Sequence, residues 1–285
     1  MTTMASPTAT SPRAAFNTPD EVGRGAMLAD VLRSEWTKIR TVRSTFWTLF
    51  AAAFSMLAIA IIASSVIVAQ WDKMKPADKL QFNAIEFGLS GVFFAQLAIG
   101  VLGVLVITTE YSTGMIRATF AAVPQRPLVL AAKAMVFTAV SLVVGIISSF
   151  VSFFVAQAIL GTYSKEHLSA SISDPGALRS VIGAGIFLAA MGLLGLSVGA
   201  VLRRSAGAVA ALFGLIFFLP GLMELLPSSI KDNVNKFLPS NAGSAIYRQI
   251  KDPSILSPAM GALVLFAWAA AALTLAVVIV QRRDA

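Results

Sequence analysis

The stretch Phe46–Ala69, FWTLFAAAFSMLAIAIIASSVIVA, contains no Asp, Glu, Lys or Arg. As a helix with a rise of about 1.5 Å per residue, it is long enough to cross a bilayer hydrocarbon core of about 30 Å. The whole chain of 285 residues is 57% hydrophobic and only 13% charged. Its mean hydropathy is +0.80. These values are typical of an integral membrane protein.

Further uncharged apolar stretches follow along the chain, each about as long as a membrane span. They are Leu89–Ile107, Ala134–Leu160, Val181–Leu202, Ala206–Met223 and Ala259–Val280. The sequence therefore predicts an all-α polytopic membrane protein with six transmembrane helices.

The net charge of +8 raises the question of a nucleic-acid partner. With six spans the connecting segments alternate between two sides, and one side collects most of the excess Lys and Arg. Such an excess marks the cytoplasmic face of a membrane protein. We therefore expect a multi-pass protein of the cell membrane with both termini in the cytoplasm. Its expected partner is the lipid bilayer, with no nucleic acid.

The residue types needed for most site chemistry are scarce. The chain has no Cys, which excludes disulfides, thiolate nucleophiles and cysteine-ligated metals. Its single histidine, His167, falls in a predicted external loop, where we expect a solvated side chain. Paired carboxylates and His-rich metal spacings do not occur near any predicted span. A membrane-embedded enzyme is disfavoured, and we expect no catalytic residue, metal site or cofactor site.

Two regions precede the first span. Residues 1–26, rich in Thr, Ser, Pro and Ala, are expected to form a disordered cytoplasmic tail, with residues 27–285 forming the six-helix domain. From Met27 to Arg43, apolar residues recur at helical spacing with basic residues between them. This pattern predicts an N-terminal interfacial helix that inserts Trp36 and its aliphatic face into the acyl boundary. A soluble helix packed on a partner is the alternative.

Small and polar residues inside the spans predict helix contacts. Gly195 and Gly199 in the fourth span form a small-xxx-small pair that permits close helix approach. The third span contains serines that either line a polar path or, more commonly, bond to a neighbouring helix or their own backbone. These are Ser141, Ser148, Ser149 and Ser152.

The last external loop, Glu224–Ser257, is the longest predicted excursion on that side. Its apolar residues have helical spacing up to Leu238, after which Pro239 interrupts the pattern and a second helix follows. The loop is expected to be helical. It forms either a folded cap over the external face or an ordered connector.

The segment from Ile107 to Lys133, ITTEYSTGMIRATFAAVPQRPLVLAAK, lies between two spans but carries charges and prolines. After Gly114 the apolar residues again recur at helical spacing, and Pro124 and Pro127 end the pattern. The segment therefore predicts a short amphipathic helix, held rigidly between the second and third spans on the cytoplasmic side.

Within this segment Glu110, Gly114, Pro124, Arg126 and Lys133 make the spacing E-x3-G-x9-P-x-R-x6-K. That spacing resembles the loop between the second and third membrane helices in permease subunits of type 2 ABC exporters. The stretch LRSEWTKIRTVRSTFWTL before and into the first span is similar to the corresponding helix of actinobacterial members, and FLPSNAGSAIY is similar to their last external loop. The likeness covers the chain from about residue 27 to its end.

The resemblance implies that the short helix is a cytoplasmic coupling helix, received in a groove of a separate ATP-binding cassette subunit. Lipid phosphate contacts are the alternative role of its charges. On the family pattern the apolar contacts are Met115, Ile116 and Phe120. The polar anchors are Glu110, Arg117 and Arg126, with Gly114 and Pro124 bounding the helix.

The chain contains no G-x-x-x-x-G-K-[ST] phosphate loop, so we expect it not to be an enzyme itself and its partner subunit to bind ATP. The expected function is export of an amphipathic small molecule, peptide or lipid. A second copy or a related permease is expected, forming a dimer. An ion-coupled secondary transporter is weakened by the lack of ionisable residues within the predicted spans, although sodium can bind to carbonyls. A non-transporting membrane anchor or immunity component is the remaining alternative.

Overall fold

The computed structural model describes residues 24–164, 166–249 and 255–282. For residues 24–26 and 228–230 it describes the backbone only. The regular structure in these ranges is helical. Six segments are long and apolar enough to cross a membrane, and each contains one predicted stretch. The prediction of six spans is confirmed. They are span 1 Arg43–Lys73, span 2 Ala84–Ser112, span 3 Arg126–Leu160, span 4 Ala177–Leu202, span 5 Ser205–Met223 and span 6 Pro258–Arg282.

Most of the α-helices in the described ranges follow one another closely, and the longest connection is 161–176, between spans 3 and 4. They are α1 Arg24–Thr41, α2 Arg43–Gln70, α3 Pro76–Leu80, α4 Ala84–Gly88, α5 Val92–Ser112, α6 Met115–Ala122, α7 Arg126–Leu160, α8 Ala177–Leu202, α9 Ser205–Phe213, α10 Leu219–Met223, α11 Ser228–Val234, α12 Pro239–Tyr247 and α13 Pro258–Arg282. A π-helical turn, Gly214–Phe218, joins α9 to α10 within span 5. Because the spans alternate in direction, α1 and α6 lie at one end of the bundle, here called the α6 end.

Helix α8 is the centre of the bundle, with α5, α7, α12 and α13 packed around it. A Cβ atom added at Gly195 would lie only 2.1 Å from the carbonyl oxygen of Gly100 in α5. A Cβ atom added at Gly103 would lie 2.2 Å from the carbonyl oxygen of Gly192. The close approach predicted from the glycine spacing is therefore confirmed, and α5 and α8 touch through their backbones.

Span 1 presents an aromatic face outward. Phe46, Trp47, Phe50 and Phe54 are between 52% and 64% exposed. Successive rings along this face lie 5.8, 5.9 and 6.1 Å apart. A continuous apolar surface of this kind is unfavourable in water and suits contact with lipid.

Helix α1 differs from the predicted interfacial helix in its contacts. It begins at Arg24, three residues before the predicted start at Met27, and residues 1–23 lie outside the described ranges. Trp36 is 51% exposed, and its insertion into the acyl boundary stays a prediction. The aliphatic stripe of α1, which contains Val31 and Ile39, is buried against α7 and α2 and not against lipid. The reason is the length of α7, whose 35 residues extend over about 52 Å. The first turns of α7 therefore supply a protein surface that the sequence pattern alone assigns to lipid.

The last loop is helical on both sides of Pro239, as predicted, but α12 is inserted into the bundle. The indole Nε1 of Trp268 donates to the carbonyl of Phe237 at 2.9 Å. A Cβ added at Gly243 would lie 2.3 Å from the ring of Phe187. Trp268 and Phe187 lie well inside spans 6 and 4, so the loop dips about 15 Å below the helix ends. Its Ala and Gly residues allow this insertion, because small side chains fit between two spans.

The serines of span 3 face the protein interior. Ser149 Oγ donates to the carbonyl of Gly145 at 2.8 Å, which is the backbone bonding expected of most such residues. Ser141 and Ser152 are fully buried on the same helix, and their Oγ atoms have no hydrogen-bond partner among the described residues, unlike the expected bonding. His167 is exposed in the loop after α7, in agreement with its predicted position.

The same substitution, Gly→Ala, at two positions tests the α5–α8 contact. We expect Gly195→Ala to lower the free energy of unfolding by about 1–3 kcal/mol, because its Cβ collides with a backbone oxygen that cannot move away. Gly207→Ala adds the same methyl group where nothing lies within 4 Å. It should be neutral or slightly stabilising, because Ala favours helix. Thermal unfolding in detergent, followed by tryptophan fluorescence, measures both, and equal shifts would contradict the packing described.

Candidate functional site

Four charged side chains from three helices meet at the α6 end, and we call them the ion cluster. Lys133 Nζ of α7 donates to Glu35 Oε2 of α1 at 2.5 Å and to Glu110 Oε1 of α5 at 2.8 Å. Lys38 Nζ of α1 donates to Glu35 Oε1 at 2.6 Å and to Glu110 Oε1 at 3.1 Å. Both carboxylates are thus shared between the same two ammonium groups.

The ion cluster is buried. The side chains of Glu35, Lys133 and Glu110 are 1%, 2% and 6% exposed, and that of Lys38 is 24% exposed. Burying a charge costs several kcal/mol unless a partner compensates it, and here two carboxylates face two ammonium groups. Burial lowers the pKa of Lys38, but its bonds to Glu35 and Glu110 outweigh that effect and raise the pKa overall. The arrangement fixes α1, α5 and α7 relative to one another.

The local sequence explains how the ion cluster forms. Glu35 lies four residues from both Val31 and Ile39, so it occupies the buried stripe of α1, and Lys38 is one turn further on. Glu110 is in the last turn of α5 and Lys133 is two turns into α7. The spacing pattern identified Glu110 and Lys133, but sequence reasoning missed Glu35 and Lys38. The available signal was an acidic residue inside an apolar helical stripe.

Helix α6 lies next to the ion cluster, between the predicted boundary residues. Gly114 precedes it with φ of 73°, a left-handed conformation that glycine adopts without strain. The helix ends at Ala122, and Val123 is extended ahead of Pro124. The sequence-based prediction of a short helix between Gly114 and Pro124 is confirmed.

The orientation of α6 differs from the expected one. Ile116, expected as a contact in a partner's groove, is 3% exposed and lies inside its own chain. Phe120 is partly buried, with Val31 and Val129 in the apolar cluster beneath it. The guanidinium of Arg126 lies over the Phe120 ring, 5.5 Å from its centroid. The apolar stripe of α6 therefore packs on α1 and α7, because those helices offer an apolar surface within the chain.

The outward side of α6 is different. Met115 is 48% exposed, and Arg117, Ala118 and Ala121 are exposed as well. Glu110, expected as a polar anchor for a partner, is instead committed to the ion cluster. Of the expected contact residues, the structure leaves Met115 and Arg117 on the outer surface.

A groove of about 750 Å³ runs between α1 and α6. Met27, Val31 and Ser34 line one side, and Ala118, Ala122 and Pro124 line the other. The groove opens beside the exposed side of α6, so together they form one continuous surface. We call this the α1–α6 surface.

A second cavity of about 360 Å³ lies near α12, at the opposite end of the bundle. Its walls include Phe93, Phe187 and Phe217, and the rings of Phe93 and Phe217 are 5.1 Å apart. Gln96 is 4% exposed and lines the cavity, and its Oε1 has no hydrogen-bond partner among the described residues. The cavity combines aromatic walls with an unused acceptor, which suits an amphipathic ligand.

The family profile described as ABC-2 family transporter protein matches residues 31–221, more than half of the chain. The chain belongs to this family. It is therefore the membrane subunit of an ABC transporter, a permease, and in this family the ATPase is a separate protein. The matched range contains all four residues of the ion cluster and the whole of α6. No curated protein matches the permease sequence.

Removing one partner of the ion cluster should destabilise the permease strongly. We expect Lys133→Met to lower the free energy of unfolding by about 3–5 kcal/mol, because two buried carboxylates then share one ammonium group. Lys231→Met removes the exposed pair with Glu224 and should have little effect. Thermal unfolding in detergent measures both variants.

A compensating variant separates charge from packing. Adding Glu35→Leu and Glu110→Leu to Lys133→Met should recover most of the lost stability, because the three most deeply buried charges are removed together and Lys38, 24% exposed, can be solvated. Equal stability of Lys133→Met and Lys231→Met would contradict the described burial of the cluster.

Proposed function

We propose that the permease is the membrane-spanning part of an exporter powered by ATP that a separate subunit hydrolyses, with α6 as its coupling helix. The observation that carries this proposal is the position of α6, an exposed helix between Gly114 and Pro124 whose flanking spans are joined through the ion cluster. A force applied to α6 would therefore act directly on spans 2 and 3, which the Glu110–Lys133 pair holds together.

The ATP-binding subunit contacts the α1–α6 surface in this proposal. Met115, Arg117 and Ala121 are accessible there, whereas Ile116 and Phe120 stabilise α6 from beneath. Arg126 acts by covering Phe120, and Glu110 acts through the ion cluster. The resulting interface has a small apolar centre, with Arg117 on the exposed side of α6 and the acidic Asp30 in the groove.

The ion cluster then determines what moves. Separating α1 from α5 or α7 would leave buried charges unpaired, at a cost of several kcal/mol. ATP-driven closure of the partner subunits would therefore rotate these helices as one rigid body between inward- and outward-open states. A second permease, either another copy or a related chain, would complete the pathway.

The cavity near α12 supports an amphipathic cargo. The phenylalanine rings in its walls suit an apolar body, and Gln96 Oε1, together with the lining residues Glu86 and Arg248, suits a polar group. A cavity of about 360 Å³ holds a small molecule or one portion of a peptide or lipid. In the proposed orientation α6 faces the cytoplasm and this cavity faces the external side.

Charge substitutions on the outward side of α6 test the coupling. We expect the double variant Arg117→Glu/Ala121→Asp to lose about tenfold or more of the ATP-binding subunit on co-purification, because a charge in an apolar contact is costly to desolvate. ATP hydrolysis stimulated by the permease should fall in parallel. Arg282→Glu, at the end of span 6, is the matched control and should retain both. Unchanged assembly and hydrolysis in the double variant would overturn the assignment.

The absence of Cys from the chain allows a direct test of orientation. We expect Ser112→Cys, at the end of α5, to react with a membrane-impermeant maleimide only after the cells are permeabilised. Ser164→Cys, in the exposed loop after α7, should react in intact cells. The reverse labelling pattern would invert the proposed topology and exclude α6 as a cytoplasmic coupling helix.

A further inference from the structure

A third cavity, of about 270 Å³, lies beside the ion cluster where α1 turns into span 1. One end is polar, with Lys38, Glu110 and Thr45 among its lining residues. The other end is apolar and is formed by Leu102, Leu105 and Val106 of α5. The cavity therefore has the two-part chemistry of an amphiphile, with charges at one end and aliphatic side chains at the other.

One buried oxygen in this cavity wall is unused. Glu110 Oε1 accepts from both lysines, but Glu110 Oε2 is buried and has no hydrogen-bond partner among the described residues. The Glu110 side chain is only 6% exposed. A buried carboxylate oxygen without a donor is unfavourable, so the site suits a ligand that donates an N–H or O–H. Lys38, 24% exposed, supplies a positive charge to the same cavity.

The cavity lies at the level of a membrane surface. Glu110 is in the last turn of span 2, and Thr45 and Thr48 are in the first turns of span 1. The exposed aromatic residues Phe46 and Trp47 stand on the same turns of span 1, and Trp is enriched where membrane helices meet lipid headgroups. The ligand within reach at this level is a membrane lipid.

We propose that this cavity binds the headgroup of a phospholipid that carries a primary ammonium group. The ammonium donates to Glu110 Oε2, the phosphate pairs with Lys38, and the start of the acyl region lies against Leu105 and Val106. The cavity volume of about 270 Å³ accommodates a headgroup, but it is smaller than one turn of a helix about 10 Å wide. A trimethylammonium headgroup has no N–H to donate and leaves the carboxylate oxygen unpaired.

The lipid proposal does not rest on the proposed export function, although Met115 lines this cavity as well as the surface proposed for the ATP-binding subunit. Its occupant would complete the hydrogen bonding of the ion cluster in any permease that carries the cluster. The test below requires neither the ATP-binding subunit nor a cargo, so its failure leaves the coupling proposal untouched.

The experiment is a lipid titration of the full chain in detergent, read by native mass spectrometry. Phosphatidylethanolamine and phosphatidylcholine with identical acyl chains are the two probes. We expect the ethanolamine lipid to bind about fivefold to tenfold more tightly, which corresponds to roughly 1–1.4 kcal/mol. Equal affinities would overturn the proposal. Stronger binding of phosphatidylglycerol would overturn it too, because attraction to the lysine charges would then explain the binding.

Two cavity-filling variants locate the site. Leu105→Phe and Thr48→Phe enlarge side chains on opposite walls without removing a charge of the ion cluster. Each should reduce ethanolamine-lipid binding to the level of the choline lipid. Leu263→Phe, on the exposed side of span 6, is the matched control and should bind like the unaltered permease. If one of the two variants fails to fold, the other still tests the site. Undiminished binding of the ethanolamine lipid to a folded variant would show that the lipid binds elsewhere.

Discussion

The ammonium group of Lys133, held between carboxylates from two other helices, is the constraint on which the α6 end of the permease depends. A buried ion cluster adds little net stability, because the cost of desolvating the charges offsets most of their attraction. Its effect is on geometry. The observed arrangement of α1, α5 and α7 pairs every charge of the ion cluster, and it also creates the apolar surface on which Phe120 of α6 packs. The position of α6 therefore depends on the ion cluster, which lies beneath it.

The spans, the boundaries of α6 and the helices on both sides of Pro239 could be predicted because each has a local signal. Apolar length identifies a span, and glycine and proline mark the ends of a helix. The ion cluster could not be predicted in the same way, since Lys133 and Glu35 are separated by 98 positions in the chain. A single sequence shows which residues are charged, but it does not show which of them are in contact in the folded protein. Glu110 was recognised as important, but its partner was sought outside the chain.

The same limit explains the two amphipathic helices. Helical spacing of apolar residues shows that α1 and α6 each have an apolar face that must be buried. It does not show whether that face packs on lipid, on another subunit or on the same chain. In the permease the partner is α7, whose length carries it beyond the hydrocarbon core. Helix α12 is the opposite case. Its short apolar sequence predicts a helix, but only the gap between spans 4 and 6 determines that it is buried.

The packing suggests which parts of the permease move together under the proposed mechanism. The ion cluster joins α1, α5 and α7, and the backbone contact through Gly100 and Gly195 joins α5 to α8. A displacement of α6 would therefore carry these helices as one body. The first half of span 5 is packed on this body, because Ser205 Oγ donates to Thr108 Oγ1 of α5 and Leu212 is fully buried beside Gly100. Its π-helical turn, Gly214–Phe218, interrupts the regular hydrogen bonding of the helix beyond that contact. Ile216 and Phe217 of that turn line the cavity near α12, across from the residues that α5 and α8 contribute. A displacement of the rigid body that begins at α6 would therefore change the width of this cavity. A force entering at α6 would then reach the cargo through the π-helical turn of span 5, which borders the cavity near α12.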